Sequence, residues 1–161
     1  MVEHASKPEV GIVGAVMTFP SGRLQHMGVA LQYTGVAGHP GRNELSFEDI
    51  PKSCYEVSAV TFACAMVSAE KFKQLGGLDP NFPVAFNDVD LSIRAKNAGY
   101  KNVVCTQSHL WHLESQTRKR TTSWGGFVRG VRDVLLLLRK HQNSLTENFF
   151  ARRVLLHKSS K

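Results

Sequence analysis

Val10-Gly-Ile-Val-Gly-Ala-Val-Met17 decides the fold. The run is continuous, small and apolar, with no polar residue at alternate positions to face water. It therefore reads as a strand buried on both faces. Outward from it, Phe19-Pro-Ser-Gly22 is a turn signal. Residues 23–33 read as a strand or short hairpin arm, Gly35 to Asn43 as a loop rich in glycine, and 44–56 as polar and irregular. Val57 to Val67 is the next buried strand, with a break near Ala63. Ser68 suits the cap of a short helix from Ala69 to Leu75, which Gly76-Gly77 stops. After a rigid loop from Leu78 to Pro83, a helix runs from about Asp88 to Asn97 and closes at Gly99. Lys101 to Thr106 is a strand and Ser108 to Arg120 a polar loop. Helices follow over Trp124 to His141 and Thr146 to His157. Strands alternating with helices predict an α/β fold, a mixed sheet flanked by helices, ending in basic amphipathic helices.

The composition bounds the function. With 161 residues, 42% hydrophobic and 20% charged, the chain can bury a core and is not of the disordered class. Its longest aliphatic run, Val134 to Leu138, is far short of the ~20 residues of a membrane-spanning helix. Met1 to Glu9 carries no apolar signal-peptide core. Three cysteines, Cys54, Cys64 and Cys105, with no CxxC spacing, read as reduced thiols. A cytoplasmic protein is expected, peripheral at the inner membrane face.

Residues 118–161 hold 11 Lys and Arg against 2 Asp and Glu, so all of the net +7 lies there. Such a block attracts phosphate on nucleic acid, lipid heads or a sugar donor; a solvated helix face is the plainer alternative. The division expected is therefore 1–117 and 118–161. Within the second part, Trp124, Phe127, Val128, Val131, Val134, Leu135 and Leu138 form an apolar stripe, and Arg129 and Arg132 lie off it. The helix either packs on the domain or lies on a membrane surface or a pyrophosphate.

Asn87-Asp-Val-Asp90 reads as a helix start with Asn87 as cap. Positions 88, 91, 95 and 98 share one face, and three of them are Leu91, Ala95 and Ala98. Asp88 extends that stripe toward a cleft, whereas Asp90 lies off it and pairs with Arg94 four residues on. An ionised carboxylate at a cleft is what a general base needs; the alternative is that both acids only complement the helix terminus. Two helical carboxylates at i,i+2 diverge, so Asp88-Val-Asp90 is not a chelating D-x-D. His109, Trp111, His112 and Glu114 crowd one loop, where an imidazole with carboxylates begins a divalent-cation site or merely packs. No GxGxxG or Walker loop occurs.

In order, Pro8-Glu-Val-Gly-Ile-Val-Gly-Ala15, Pro20-Ser-Gly-Arg-Leu-Gln-His-Met-Gly28, Val36-Ala-Gly-His39, Val57-Ser-Ala-Val-Thr61 and Phe72-Lys-Gln-Leu-Gly-Gly-Leu-Asp79 carry a resemblance. Phe86-Asn-Asp-Val-Asp-Leu-Ser-Ile-Arg94, Ala98-Gly-Tyr100, Leu110-Trp-His-Leu-Glu-Ser115 and the helix over 127–141 continue it. The set resembles the second, acceptor-side half of family 2 inverting glycosyltransferases with the GT-A fold, of the rhamnosyltransferase and galactofuranosyltransferase kind, and covers roughly residues 8–141.

The resemblance implies transfer of a sugar from a nucleotide-sugar to a glycan or lipid-linked acceptor, as in cell-wall polysaccharide biosynthesis. It implies that Asp88 is the catalytic base and His112 a ligand of a Mn or Mg ion. Trp111 lies beside that ligand, and with Arg129 and Arg132 it is a candidate for contact with acceptor or phosphate. In the family the nucleotide-binding half, with its metal-gripping D-x-D, comes first. This chain is expected to lack it, to bind no metal alone and to be inactive alone. Half a sheet also implies an exposed strand edge and an uncovered apolar face. The expected partners are a second copy or a separate donor-binding half, and an anionic membrane surface or lipid-linked acceptor. The alternative is a stand-alone, non-catalytic oligomeric module that binds an anionic glycan or lipid through its basic C-terminus, with nucleic acid the least favoured ligand.

Overall fold

The computed structural model describes residues 1–31, 37–113 and 124–146. In chain order its elements are α1 (Val2–Ala5), β1 (Val10–Thr18), β2 (Leu24–His26), β3 (Ala30–Leu31), β4 (Ala37–Gly38), β5 (Cys54–Val57), β6 (Ala65–Val67), α2 (Ala69–Gln74), α3 (Asn87–Asn97), β7 (Lys101–Trp111) and α4 (Trp124–Thr146). The expected α/β class is the one observed, a mixed sheet flanked by helices.

β1 is buried at every residue, as its continuous apolar run requires. It lies parallel to β7, and on its other side β2 and β6 pair antiparallel with its two ends. β5 pairs antiparallel with β7 and forms an edge. A parallel pair needs a crossover connection, and α3 lies in the one that joins β1 to β7. Gly14 is small for a steric reason, because a Cβ there would run into the Val60 side chain.

α3 is buried almost all round. Leu91 and Ala95 pack with Ile12, Val16 and Leu24 on the sheet side. Val89 and Ile93 pack with Phe82 and Leu137, and so against α4. The single buried stripe expected for α3 is thus only half of its packing: α4 covers a second face, and Asp90 is fully buried between the two. Ala98, placed on the stripe by spacing, is exposed because α3 ends before it.

Four other expectations change. Residues 54–56, read as irregular, join Val57 in β5, since pairing with β7 supplies the order that local propensity does not. The strand read over 57–67 divides into the end of β5 and β6. β7 runs on to Trp111, because its polar end pairs with Val16 to Thr18. Cys54 and Cys105 stand directly opposite in that β5–β7 register and are disulfide-bonded, so the reading of three reduced thiols holds only for Cys64. The helix expected over 146–157 lies outside the described residues apart from Thr146, the last residue of α4, and of the polar loop expected over 108–120, residues 114–120 lie outside them. No helix among the described residues is long and apolar enough to cross a membrane. Exposed apolar side chains gather on α4, at Val128, Val131 and Leu135, rather than on β1.

Candidate functional site

A cleft of about 580 Å³ opens where the start of α3 meets the chain just beyond β7. Val29, His39, Phe62, Phe86, Asp88 and His112 are among its walls. Asp88 and His112, paired on sequence grounds, therefore share one cavity. The Asp88 carboxylate is half-buried and held from two sides: Oδ2 accepts from the backbone N–H of Phe62 at 3.2 Å and Oδ1 from that of Val89 at 2.8 Å. The N-terminus of α3 complements its negative charge. The cap itself differs from expectation. Phe86, at φ 64, is the cap residue, and Asn87 is the first helical residue, its Oδ1 accepting from the Asp88 N–H at 2.7 Å. A phenylalanine in the left-handed region is strained backbone of the kind that functional sites retain.

His112 is gripped by Gln25, which the sequence reading did not single out. The His112 N–H donates to the Thr18 carbonyl at 3.0 Å. The Gln25 amide Nε2 donates to the His112 carbonyl at 3.3 Å, which turns Gln25 Oε1 toward His112 Nδ1, 2.8 Å away. An oxygen acceptor at Nδ1 fixes the proton there, so the lone pair of the neutral ring is on Nε2. This is the arrangement that readies an imidazole to bind a cation or accept a proton.

His39, quoted above only as part of a matching stretch, is a third cleft residue. Its Nδ1 lies 3.0 Å from Nδ1 of the buried His26. Burial, with the neighbouring His39 adding to it, pushes the His26 pKa down to about 3, so that ring is neutral at ordinary pH. No local pattern marks Gln25, His26 or His39, because their partners are 13 to 87 residues away.

Asp90 makes the ion pair with Arg94 expected of it, at 2.7 Å. It also accepts from Lys140 Nζ at 2.7 Å and His141 Nε2 at 2.7 Å. Arg94 donates on to the carbonyls of Leu75 and Gly77, and Lys140 to Asp79. Asp90 is therefore the clasp between α3 and α4. His109 packs against Phe47, centroids 4.0 Å apart, and its Nε2 meets Thr18 Oγ1 at 2.9 Å, away from the cleft walls. Trp111 is 72% exposed at the end of β7 and is not among the cleft walls. Arg129 and Arg132 are exposed on α4, and Arg132 reaches Asp133 at 3.8 Å. Beside them a shallow apolar groove is walled by Phe86, Val131, Val134 and Leu135, so Phe86 belongs to both depressions.

With that geometry the chain is similar to part of an O-antigen biosynthesis protein. It is 36% identical over 130 residues to the O-antigen biosynthesis protein RfbC of Myxococcus xanthus. It is 42% identical over 124 residues to the uncharacterized protein y4gI of Sinorhizobium fredii (strain NBRC 101917 / NGR234). These matches cover 74% and 73% of this chain but only 10% and 14% of those proteins. The chain thus spans a small fraction of the curated relatives it matches. No family model matches it.

A metal at His112 is tested by the donor set around it. Among the described residues, the one group of three or more His, Cys, Asp or Glu side chains close enough to share an ion lies elsewhere, at His4, Cys54 and Cys105. The described cleft residues, His39, Asp88 and His112 among them, are not grouped closely enough to share an ion, and so do not complete a site for the Mn or Mg ion that the resemblance implies.

Proposed function

We propose that the chain forms the acceptor-side part of a family 2, GT-A-fold inverting glycosyltransferase of the rhamnosyltransferase or galactofuranosyltransferase kind. Residues 1–117 hold the acceptor cleft, and 118–161 are the basic segment that follows it. The observation that carries this reading is that Asp88 and His112 line one cleft, with the Asp88 carboxylate held by two backbone N–H groups. The similarity to RfbC, a protein named for O-antigen biosynthesis, supports it.

In this reading the acceptor hydroxyl enters the cleft beside Asp88. As its oxygen bonds to the anomeric carbon, the proton passes to the Asp88 carboxylate, and the bond to the nucleoside diphosphate breaks on the opposite face. A positioned general base contributes about 10²–10⁴-fold. His112, oriented by Gln25, offers one nitrogen ligand; any other ligands and the sugar-nucleotide wall come from outside the described residues, from a donor-binding half or a second polypeptide. Sugar transfer by this chain alone is not expected. The groove on α4 meets the cleft at Phe86 and is flanked by Arg129 and Arg132, an arrangement suited to the lipid and phosphate of a lipid-linked acceptor at an anionic membrane surface. Trp111, exposed beside His112, suits contact with the same acceptor.

Titrating a short alkyl glycoside acceptor into ¹⁵N-labelled chain tests the reading. Shifts clustered at His39, Phe62, Asp88 and His112 are expected. Shifts confined to α4 would favour instead a non-catalytic module that binds anionic ligands through its basic C-terminus, the reading that exposed Val128, Val131 and Leu135 beside Arg129 and Arg132 support. No shift at either place would remove the glycosyltransferase reading.

A further inference from the structure

A second chemical site lies across the molecule's edge strand, independent of the cleft. We propose that His4, Cys54 and Cys105, once the bond between the two sulfurs is reduced, bind a borderline-soft divalent cation of the zinc type.

The sheet creates the site. Cys54 and Cys105 are a directly opposed pair of β5 and β7, with Cα atoms 4.0 Å apart, so their side chains leave the same face together. α1 brings His4 over that face, with Nε2 3.2 Å from Cys54 Sγ. The three donor atoms all lie within 4.8 Å of one another. Metal–ligand bonds of about 2.0–2.3 Å put tetrahedral ligands about 3.3–3.8 Å apart. The histidine is already near that separation, and the two sulfurs approach it by parting when their bond opens. Cys105 is buried while Cys54 and His4 are half-buried, so an ion can enter from solvent. Met1 and Met66 pack on the same small apolar cluster as Cys54 and Cys105. Two thiolates and an imidazole select zinc-type ions over magnesium or calcium. Three protein ligands leave a fourth position for water or another group.

The chemistry balances in two steps. A dithiol reductant gives two electrons and two protons to the Cys54–Cys105 bond, forming two thiols and becoming a cyclic disulfide itself. The cation then displaces both thiol protons to solvent and takes the lone pair of His4 Nε2, with the ring proton on Nδ1. The contact of Lys7 Nζ with that Nδ1, at 3.5 Å, is given up. The disulfide form has no thiolate to offer, so loading depends on the thiol state.

The test titrates cobalt(II), a spectroscopic stand-in for zinc, into the chain in a Cys64→Ser background, with and without prior reduction by a dithiol. The reduced chain is expected to show a thiolate-to-cobalt charge-transfer band that saturates at a single cobalt per chain and is erased by zinc. The oxidised chain is expected to show none. Cys54→Ser should remove the band. Loss of a group that only supports a ligand weakens binding about tenfold or more, so His4→Ala should weaken it at least that much. Far-UV circular dichroism checks that each variant is folded; Cys54 and His4 are half-buried positions chosen to keep the fold, and His4→Gln repeats the test if His4→Ala does not. No charge-transfer band in the reduced chain, or an undiminished band in folded Cys54→Ser or at both His4 variants, would overturn the proposal.

Discussion

Replacing Asp90 by Asn separates the roles of the two carboxylates at the start of α3. Asp90 Oδ2 accepts from Arg94 Nε and Nη2 at 2.9 and 2.7 Å, and Oδ1 from Lys140 and His141, each at 2.7 Å. An asparagine removes the charge and turns an NH₂ donor toward groups that are themselves donors. Breaking a buried ion pair costs about 3–5 kcal/mol. The Lys140 and Arg94 side chains are 32% and 20% exposed, so water screens part of the loss and the cost falls to roughly 2–3 kcal/mol. At about 2–4 °C per kcal/mol for a chain of this size, the melting temperature should drop by roughly 5–10 °C. Asp88→Asn keeps one acceptor oxygen of a half-buried group and should cost about 1 kcal/mol or less. Urea unfolding followed by far-UV circular dichroism measures both. A loss in Asp88→Asn equal to or above that in Asp90→Asn would refute the division between a cleft carboxylate and a structural one.

Acid should act through the same cluster. Burial alone would raise the Asp90 pKa, but hydrogen bonds from His141, Lys140 and Arg94 outweigh it and take it from 3.8 to about 2. Its contribution, on the order of 2 kcal/mol, is whole above pH ~4 and lost as pH falls through about 2. The stability gap between the chain and Asp90→Asn should therefore narrow over that interval, and a gap unchanged down to pH 2 would contradict the assignment. Gln25→Leu should release the His112 tautomer: ¹⁵N spectra of the imidazole should show the proton on Nδ1 in the parent chain and a shift toward Nε2–H in the variant. Identical ring spectra in both would remove Gln25 as the positioning residue.

What was legible in the sequence was local. The apolar run of β1, the Ser68 cap with its Oγ accepting from Lys71 N–H at 3.2 Å, and the end of α3 before Gly99 at φ +87 each follow from neighbours a few residues away. β5 was hidden because Cys54-Tyr-Glu-Val57 is short and partly exposed, and becomes a strand only by pairing with β7. The burial of Asp90 was hidden because Lys140 and His141 lie fifty or more residues downstream on α4. In the cleft, helical spacing places Asp88 toward the interior, although α3 is buried on two faces rather than along a single stripe. The roles of Gln25 and His39 have no local signature, because a lone amide or imidazole in a short strand or loop carries no periodic signal, and only the fold brings them to His112 and His26.

The measurement closest to the central claim is sugar transfer itself. Release of nucleoside diphosphate from a nucleotide-sugar would be followed for this chain joined to, or mixed with, the donor-binding part that restores turnover. Asp88→Asn should lower kcat by about 10²–10⁴-fold while its unfolding curve stays close to that of the parent chain. Turnover by folded Asp88→Asn at the parent rate would contradict Asp88 as the base that takes the acceptor's proton.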